Sequence, residues 1–205
     1  MELITNLFLF LVSGFFISLS GVMMPGPVFA VTVAKGYKDK NAGAFIAFGH
    51  GIIEFPLMFL IYLGFVQFFT SSIVRMIIGL IGGVMLIFMG IQMFRSRKST
   101  ATKGKDLPYN SLTAGIITTG ANPYFFLWWA TIGATLILSS GNFGLIGFLL
   151  FAVVHWFCDF FWDLFVSVAT FKSKHLWGKR THEIIFGICS VILIIFGLWF
   201  ISSVF

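Results

Sequence analysis

Six long apolar runs, separated by short polar segments, leave this chain one kind of solvent in which to fold. They cover about residues 4–34, 42–66, 73–94, 111–138, 144–170 and 184–204 of 205. Roughly 20 apolar residues span a bilayer core of about 30 Å as a helix, and a helix satisfies its own backbone polar groups there. Charged residues make up 10% of the chain, against about 25% in soluble domains. The sequence predicts an all-α integral membrane protein with six transmembrane helices.

Charge distribution sets the orientation. Twelve of the thirteen Lys and Arg residues fall after the first, third and fifth runs, at Lys35–Lys40, Arg95–Lys105 and Lys172–Arg180; the exception is Arg75. Loops rich in Lys and Arg stay cytoplasmic, so both termini are expected outside. The same distribution accounts for the net charge of +6 without a nucleic-acid partner. The N-terminus has no Lys or Arg before Lys35 and no small-residue cleavage site, so the first helix is expected to stay. Cys158 and Cys189 lie in apolar runs without CxxC spacing and read as small buried hydrophobes.

The runs divide into two similar halves. Residues 1–94 hold a proline-broken run ("GVMMPGPVFAVT"), a run with "GHGIIEFP", and a plain Gly- and Ile-rich run. Residues 111–205 hold "TTGANPYFFLWW", then "VHWFCDFFWD", then another plain run. A basic cytoplasmic loop, 95–110, is expected between them. Three crossings per half make the second half enter from the opposite side, so the halves form an inverted-topology repeat. The first run is also over-long, about 46 Å as one helix, which fits a helix broken at Pro25-Gly26-Pro27; the fourth would break at Asn122-Pro123.

These breaks are candidate binding features. Proline lacks an N–H and leaves the carbonyl four residues back without a partner, here those of Gly21, Met23 and Thr119. Irregular backbone at membrane depth survives where it is buried in protein or lines a wet cavity. Gly26 or Asn122 would cap the restarted helix, with proline at its first position. Two such N-termini would suit an anionic group such as a carboxylate. Pro56, alone in its run, reads as an ordinary kink.

The second and fifth runs each place a histidine and an acid four residues apart: His50 with Glu54, and His155 with Asp159, followed by Asp163. That spacing shares one helix face. Glu54 and Asp159 each lie about 13 residues from a loop, roughly 20 Å of helix, hence near mid-membrane. An ionised acid there costs about 2.5–3.5 kcal/mol on insertion scales. Proton or substrate handling and a structural ion pair are both open. Gly79 and Gly83 have small-xxx-small spacing for close helix approach. Trp128 and Trp129 are either packing anchors or pocket lining. No phosphate loop, HExxH motif or nucleophile elbow occurs, so an enzyme is not expected.

With these motifs the chain resembles the lysine exporter (LysE/RhtB) family of amino-acid efflux proteins, over nearly its whole length. The residues that carry the resemblance are "PGP" closing the first apolar run, the loop "AKGYKDKNAGAF", the acid in "GHGIIEFPLMFLIYLG" and "NP" in "TTGANPYFFLWW". The family's motif positions fall on Pro25, Gly26, Pro27, Glu54, Asn122 and Pro123. The chain departs from the pattern with Glu54 where Asp is usual and Tyr124 where Lys is frequent, and His50 and His155 stand outside it. The resemblance implies export of amino acids or related metabolites by proton antiport, in a prokaryotic-type cytoplasmic membrane.

The expectation is a secondary exporter that binds substrate at Pro25, Gly26, Pro27, Asn122 and Pro123. Glu54, Asp159, His50, His155 and Asp163 would couple protons or meet the substrate ammonium. Expected partners are the substrate, protons and the bilayer, with a homodimer left open; no cofactor is expected. One alternative is divalent-metal export with His50, Glu54, His155 and Asp159 as ligands. Another is a non-transporting scaffold or enzyme subunit, which would leave the mid-membrane acids unexplained.

Overall fold

The first apolar run folds as two helices that meet at a sharp angle. A computed structural model describes residues 2–65, 71–103, 109–176 and 178–202; among these the secondary structure is helical and holds no strand. α1 (Glu2–Val22) and α2 (Pro27–Gly36) bend by 75° at the Pro-Gly-Pro break. Gly26 is extended there, at φ −146° and ψ −163°, and Pro27 opens α2, as a residue with fixed φ and no N–H should.

The second break follows the same logic. α5 (Ser111–Gly120) ends before Asn122, which is extended at φ −105° and ψ 97°. Pro123 opens α6 (Pro123–Trp128), which continues through a π-turn at Trp129–Gly133 into α7 (Ala134–Ser140). Two carbonyls expected to be freed by proline are in fact satisfied. Met24 N–H donates to Gly21 O at 3.2 Å, and Asn122 N–H to Thr119 O at 3.1 Å. Each helix end tightens by one residue and closes its own bond.

Between the breaks lie α3 (Ala42–Tyr62), continuous through Pro56, and α4 (Ser72–Lys103). The helix of α4 runs beyond residue 94, where a loop was expected, to Lys103. Residues 95–103 contain no Gly or Pro, so nothing in that stretch stops the helix; residues 104–108 of the expected loop lie outside the described residues. α8 (Gly144–Ser173) and α9 (Lys179–Ser202) complete the chain.

The stretches Ala42–Tyr62, Ser72–Arg95, Pro123–Leu176 and Lys179–Ser202 are long and apolar enough to cross a membrane, and the bent α1–α2 pair passes the same test. Pro123–Leu176 has 54 residues, about 80 Å if straight, and it folds back on itself. Gly144 takes φ +68°, a conformation open to glycine. Beyond it α8 returns antiparallel to α6 and α7: the Trp129 ring lies 4.7 Å from that of His155, and Gly147 sits against Ser140 O and Phe143. Phe8, Ile146, Phe161 and Ile195 are all well exposed, an outward apolar surface that suits lipid. This is a multi-pass membrane protein.

Close helix approaches fix the frame around the centre. A Cβ on Gly49 would lie 2.2 Å from Leu112 O, and one on Gly115 would lie 2.2 Å from Ile46 O, so α3 and α5 pack backbone to backbone. α4 meets α9 where Gly83 and Gly197 face each other's carbonyls and Gly90 faces Ser190 O. The close α4–α9 approach thus uses Gly83, one of the expected pair, together with Gly90, seven residues on. Two buried apolar clusters flank the centre, one joining α2, α4 and α9, the other α3, the α6–α7 arm and α8.

Candidate functional site

α3 and α8 lie side by side, with Trp156 Nε1 donating to Ala47 O at 3.0 Å. This brings together the two His-x-x-x-acid faces. His50 Nε2 is 3.0 Å from Glu54 Oε1, the pairing that i, i+4 spacing allows. The pairs also interlock across the helices: His155 Nε2 lies 3.2 Å from Glu54 Oε1, and His50 Nε2 3.8 Å from Asp159 Oδ1. His155 Nε2 to Asp159 Oδ2 is 3.6 Å. The result is one cluster of alternating imidazole and carboxylate. It is deeply buried, with Glu54 fully shielded.

Each imidazole is oriented from its other nitrogen by a hydroxyl in the opposite half of the chain. Thr119 Oγ1 on α5 meets His50 Nδ1 at 2.8 Å, and Ser18 Oγ on α1 meets His155 Nδ1 at 2.7 Å. Both rings therefore turn Nε2 toward the carboxylates. Asp163, one turn beyond Asp159, pairs instead with α2, accepting from Thr32 Oγ1 at 3.2 Å. With both histidines protonated and Glu54 and Asp159 ionised the cluster is neutral, so each added or removed proton leaves a net buried charge, which is costly.

The cluster opens onto a cavity with about 100 Å³ of space available to the centre of a water molecule. That exceeds what a single water needs, about 10–15 Å³ by the same kind of measure. Both breaks reach this cavity: Pro25, Gly26 and Pro27 from one, Asn122 and Tyr124 from the other. His50, Glu54, His155, Asp159 and Asp163 line it as well. Pro123 is buried but is not among the lining residues. Trp128 and Trp129 prove to be lining, with ring centroids 5.2 and 4.7 Å from that of His155.

The two restarted helices differ at their tips. Asn122 caps its own helix, its Oδ1 accepting from Tyr124 N–H at 3.1 Å. Gly26 has no side chain to offer, and α2 begins without a side-chain cap. Three lining residues hold buried polar atoms that make no hydrogen bond: Glu54 Oε2, Asp159 Oδ2 and Trp162 Nε1. Sequence reasoning did not single out the side chains of Ser18, Thr119, Thr32 or Trp162. Ser18 and Thr119 left a faint signal, as hydroxyls in the apolar half-helix just before each break.

Comparison with known proteins fits this geometry. A family profile described as LysE type translocator matches residues 19–204. The chain belongs to the LysE type translocator family. The match takes in both breaks, both His-x-x-x-acid faces and all of the cavity lining except Ser18. Among curated relatives, the "Putative amino acid efflux protein YcgF" of Bacillus subtilis (strain 168) is 27% identical over 182 residues, covering 85% of this chain and 87% of that one. No solved structure matches this LysE type translocator chain.

Proposed function

We propose that this protein exports an amino acid or a related small metabolite across the cytoplasmic membrane, in exchange for protons. The observation that carries the reading is the pairing of orphan groups around one cavity. Glu54 Oε2 and Asp159 Oδ2 are spare acceptors, and Trp162 Nε1 is a spare donor. A buried polar group without a partner is costly. A zwitterion supplies both missing partners, an ammonium for the acids and a carboxylate for the indole N–H. The uncapped start of α2 adds backbone N–H groups and the positive end of a helix dipole on the carboxylate side. The α6 start is already capped by Asn122, so the carboxylate belongs at α2.

Proton exchange follows from the same atoms. A substrate ammonium at Glu54 and Asp159 takes the place of protonated imidazole as their counter-charge. Protons on the cluster and the substrate thus compete for one set of carboxylates. Family membership and the efflux relative support the direction of transport.

The architecture we infer has six crossings in two inverted three-helix halves, 1–94 and 111–205, with both termini outside. Its support is reciprocal contact between the halves. α5 packs on α3 through Gly49 and Gly115, and α1 packs on α8 where Gly14 meets Phe151. Thr119 holds His50 as Ser18 holds His155.

Liposomes containing the purified protein, loaded with a panel of radiolabelled amino acids and placed under an acidic external medium, test the reading. We expect a subset to leave faster than in neutral medium, with Trp162→Phe weakening the apparent affinity for that subset. Efflux of none, or efflux indifferent to external pH, counts against it.

A further inference from the structure

We propose that His50, Glu54 and Asp159 form a binding site for a divalent d-block cation, with zinc as the type case, and that the bound ion arrests transport. The binding claim stands on the cluster alone; the arrest rests on the transport reading above.

The donor set is one imidazole nitrogen and two carboxylate oxygens, the borderline-to-hard ligands that zinc, cobalt and nickel accept. Their ligand atoms all lie within 4.8 Å of one another. Bonds of about 2.0–2.2 Å to a tetrahedral ion put neighbouring donors roughly 3.3–3.6 Å apart. The distances from His50 Nε2, 3.0 Å to Glu54 Oε1 and 3.8 Å to Asp159 Oδ1, fall on either side of that range. The two carboxylates, which lie within 4.8 Å of each other, would have to draw in around the ion to complete the site.

Two further features separate this from an ordinary ion-pair cluster. His50 is held from behind by the Thr119 hydroxyl, the kind of outer contact that fixes the ring of a metal-bound histidine. Glu54 and Asp159 each keep a buried oxygen that accepts no hydrogen bond, although a cluster satisfied by its histidines would use those lone pairs. These are Glu54 Oε2 and Asp159 Oδ2, and a cation between the carboxylates would engage them where each carboxylate binds through both of its oxygens. The fourth position falls to a small molecule in the cavity; His155, whose Nε2 lies 3.2 Å from Glu54 Oε1, stands outside the three-donor group and pairs with Glu54. Cys158 is adjacent in sequence but turns its Sγ to Val154 O at 3.4 Å, so the site lacks the thiolate that would favour soft metals.

Arrest follows from which atoms are taken. The ion would bind α3 to α8 and hold the carboxylates that the substrate ammonium needs. Protonation removes the ligand lone pairs, so acid medium should release the ion.

Cobalt(II) titration of the purified full-length protein in nanodiscs tests the binding directly. We expect the visible absorption of low-symmetry cobalt to saturate at one ion per chain, to vanish on adding zinc, and to fade as the medium is acidified. Affinity should fall by about tenfold or more in His50→Ala and in Asp159→Asn, and stay unchanged in His182→Ala, which alters a buried histidine outside the cavity. Size-exclusion profiles show which variants are folded, and acid release in the wild type needs no variant. Absence of the cobalt band in folded wild type, or unchanged binding in both ligand variants, overturns the site. In liposomes, zinc should halt amino-acid efflux without crossing the membrane; zinc passage overturns the arrest. Cobalt binding without any amino-acid flux would keep the site and defeat the transport reading; flux without cobalt binding would do the reverse.

Discussion

At the scale of single residues, the centre depends on four side chains and the two hydroxyls that aim them. His50 and Glu54, and His155 and Asp159, were legible as pairs because helix periodicity fixes what shares a face. Their union into one cluster entered only through the metal-export alternative, since nothing in the sequence states which helices touch. Ser18 and Thr119 were hidden for the same reason: an isolated hydroxyl in an apolar run gains meaning when its partner, 137 or 69 residues away, is known. Thr119→Val keeps the shape and removes the hydroxyl. It should cost about 1–3 kcal/mol, the scale for leaving a buried polar group unpaired, read as a lowered melting temperature in detergent. Trp162→Phe keeps an aromatic ring and removes the spare donor; substrate affinity should weaken by about tenfold, equivalent to about 1.4 kcal/mol, with little change in melting temperature. A large stability loss with unchanged affinity would make Trp162 a packing residue.

At the scale of elements, the helix breaks were the most readable feature, because proline acts through its own covalent geometry. Pro25, Gly26 and Pro27 produce the 75° bend, and Asn122 caps the second restart as its type predicts. What escaped was how the chain heals around them. Short i, i+3 bonds take the carbonyls at Gly21 and Thr119, and a π-turn follows at Trp129–Gly133. The apolar run 73–94 matches the span Ser72–Arg95, but a run of charge does not by itself make a loop, and the Arg- and Lys-rich stretch that follows is helical to Lys103. Glycine frames the helix contacts. Gly49→Val would push a side chain into Leu112 O and should destabilise by about 1–3 kcal/mol or more, read by thermal unfolding. Gly187→Ala, where nothing lies within 4 Å of the added carbon, should be neutral or stabilising by up to about 1 kcal/mol.

At the scale of the whole molecule, the inferred inverted repeat explains why each half completes the other's site. The loop charges of the sequence predict an orientation, and they bear on points that can be labelled. With Cys158 and Cys189 replaced by serine, Asp39→Cys and Asn142→Cys place single thiols at exposed positions next to α3 and α8. An impermeant maleimide should modify Asn142→Cys in intact cells, and Asp39→Cys after the membrane is opened. The reverse pattern would invert the topology, and modification of both in intact cells would contradict opposite exposure of the two ends. The substrate's side chain is less legible than its head group: the cavity is rich in aromatic rings, Phe29, Phe125, Trp128, Trp129 and Trp162 among them, but ring walls accept many shapes.

The central claim is that Glu54 exchanges its counter-charge between protons and substrate. It is tested most directly by recording lumenal pH in liposomes loaded with a substrate and a pH-sensitive dye, then diluted into substrate-free medium. Substrate leaving through the wild type should draw protons in and acidify the lumen, while Glu54→Gln, folded by size exclusion, should give no acidification. Equal acidification by Glu54→Gln and wild type would contradict the account.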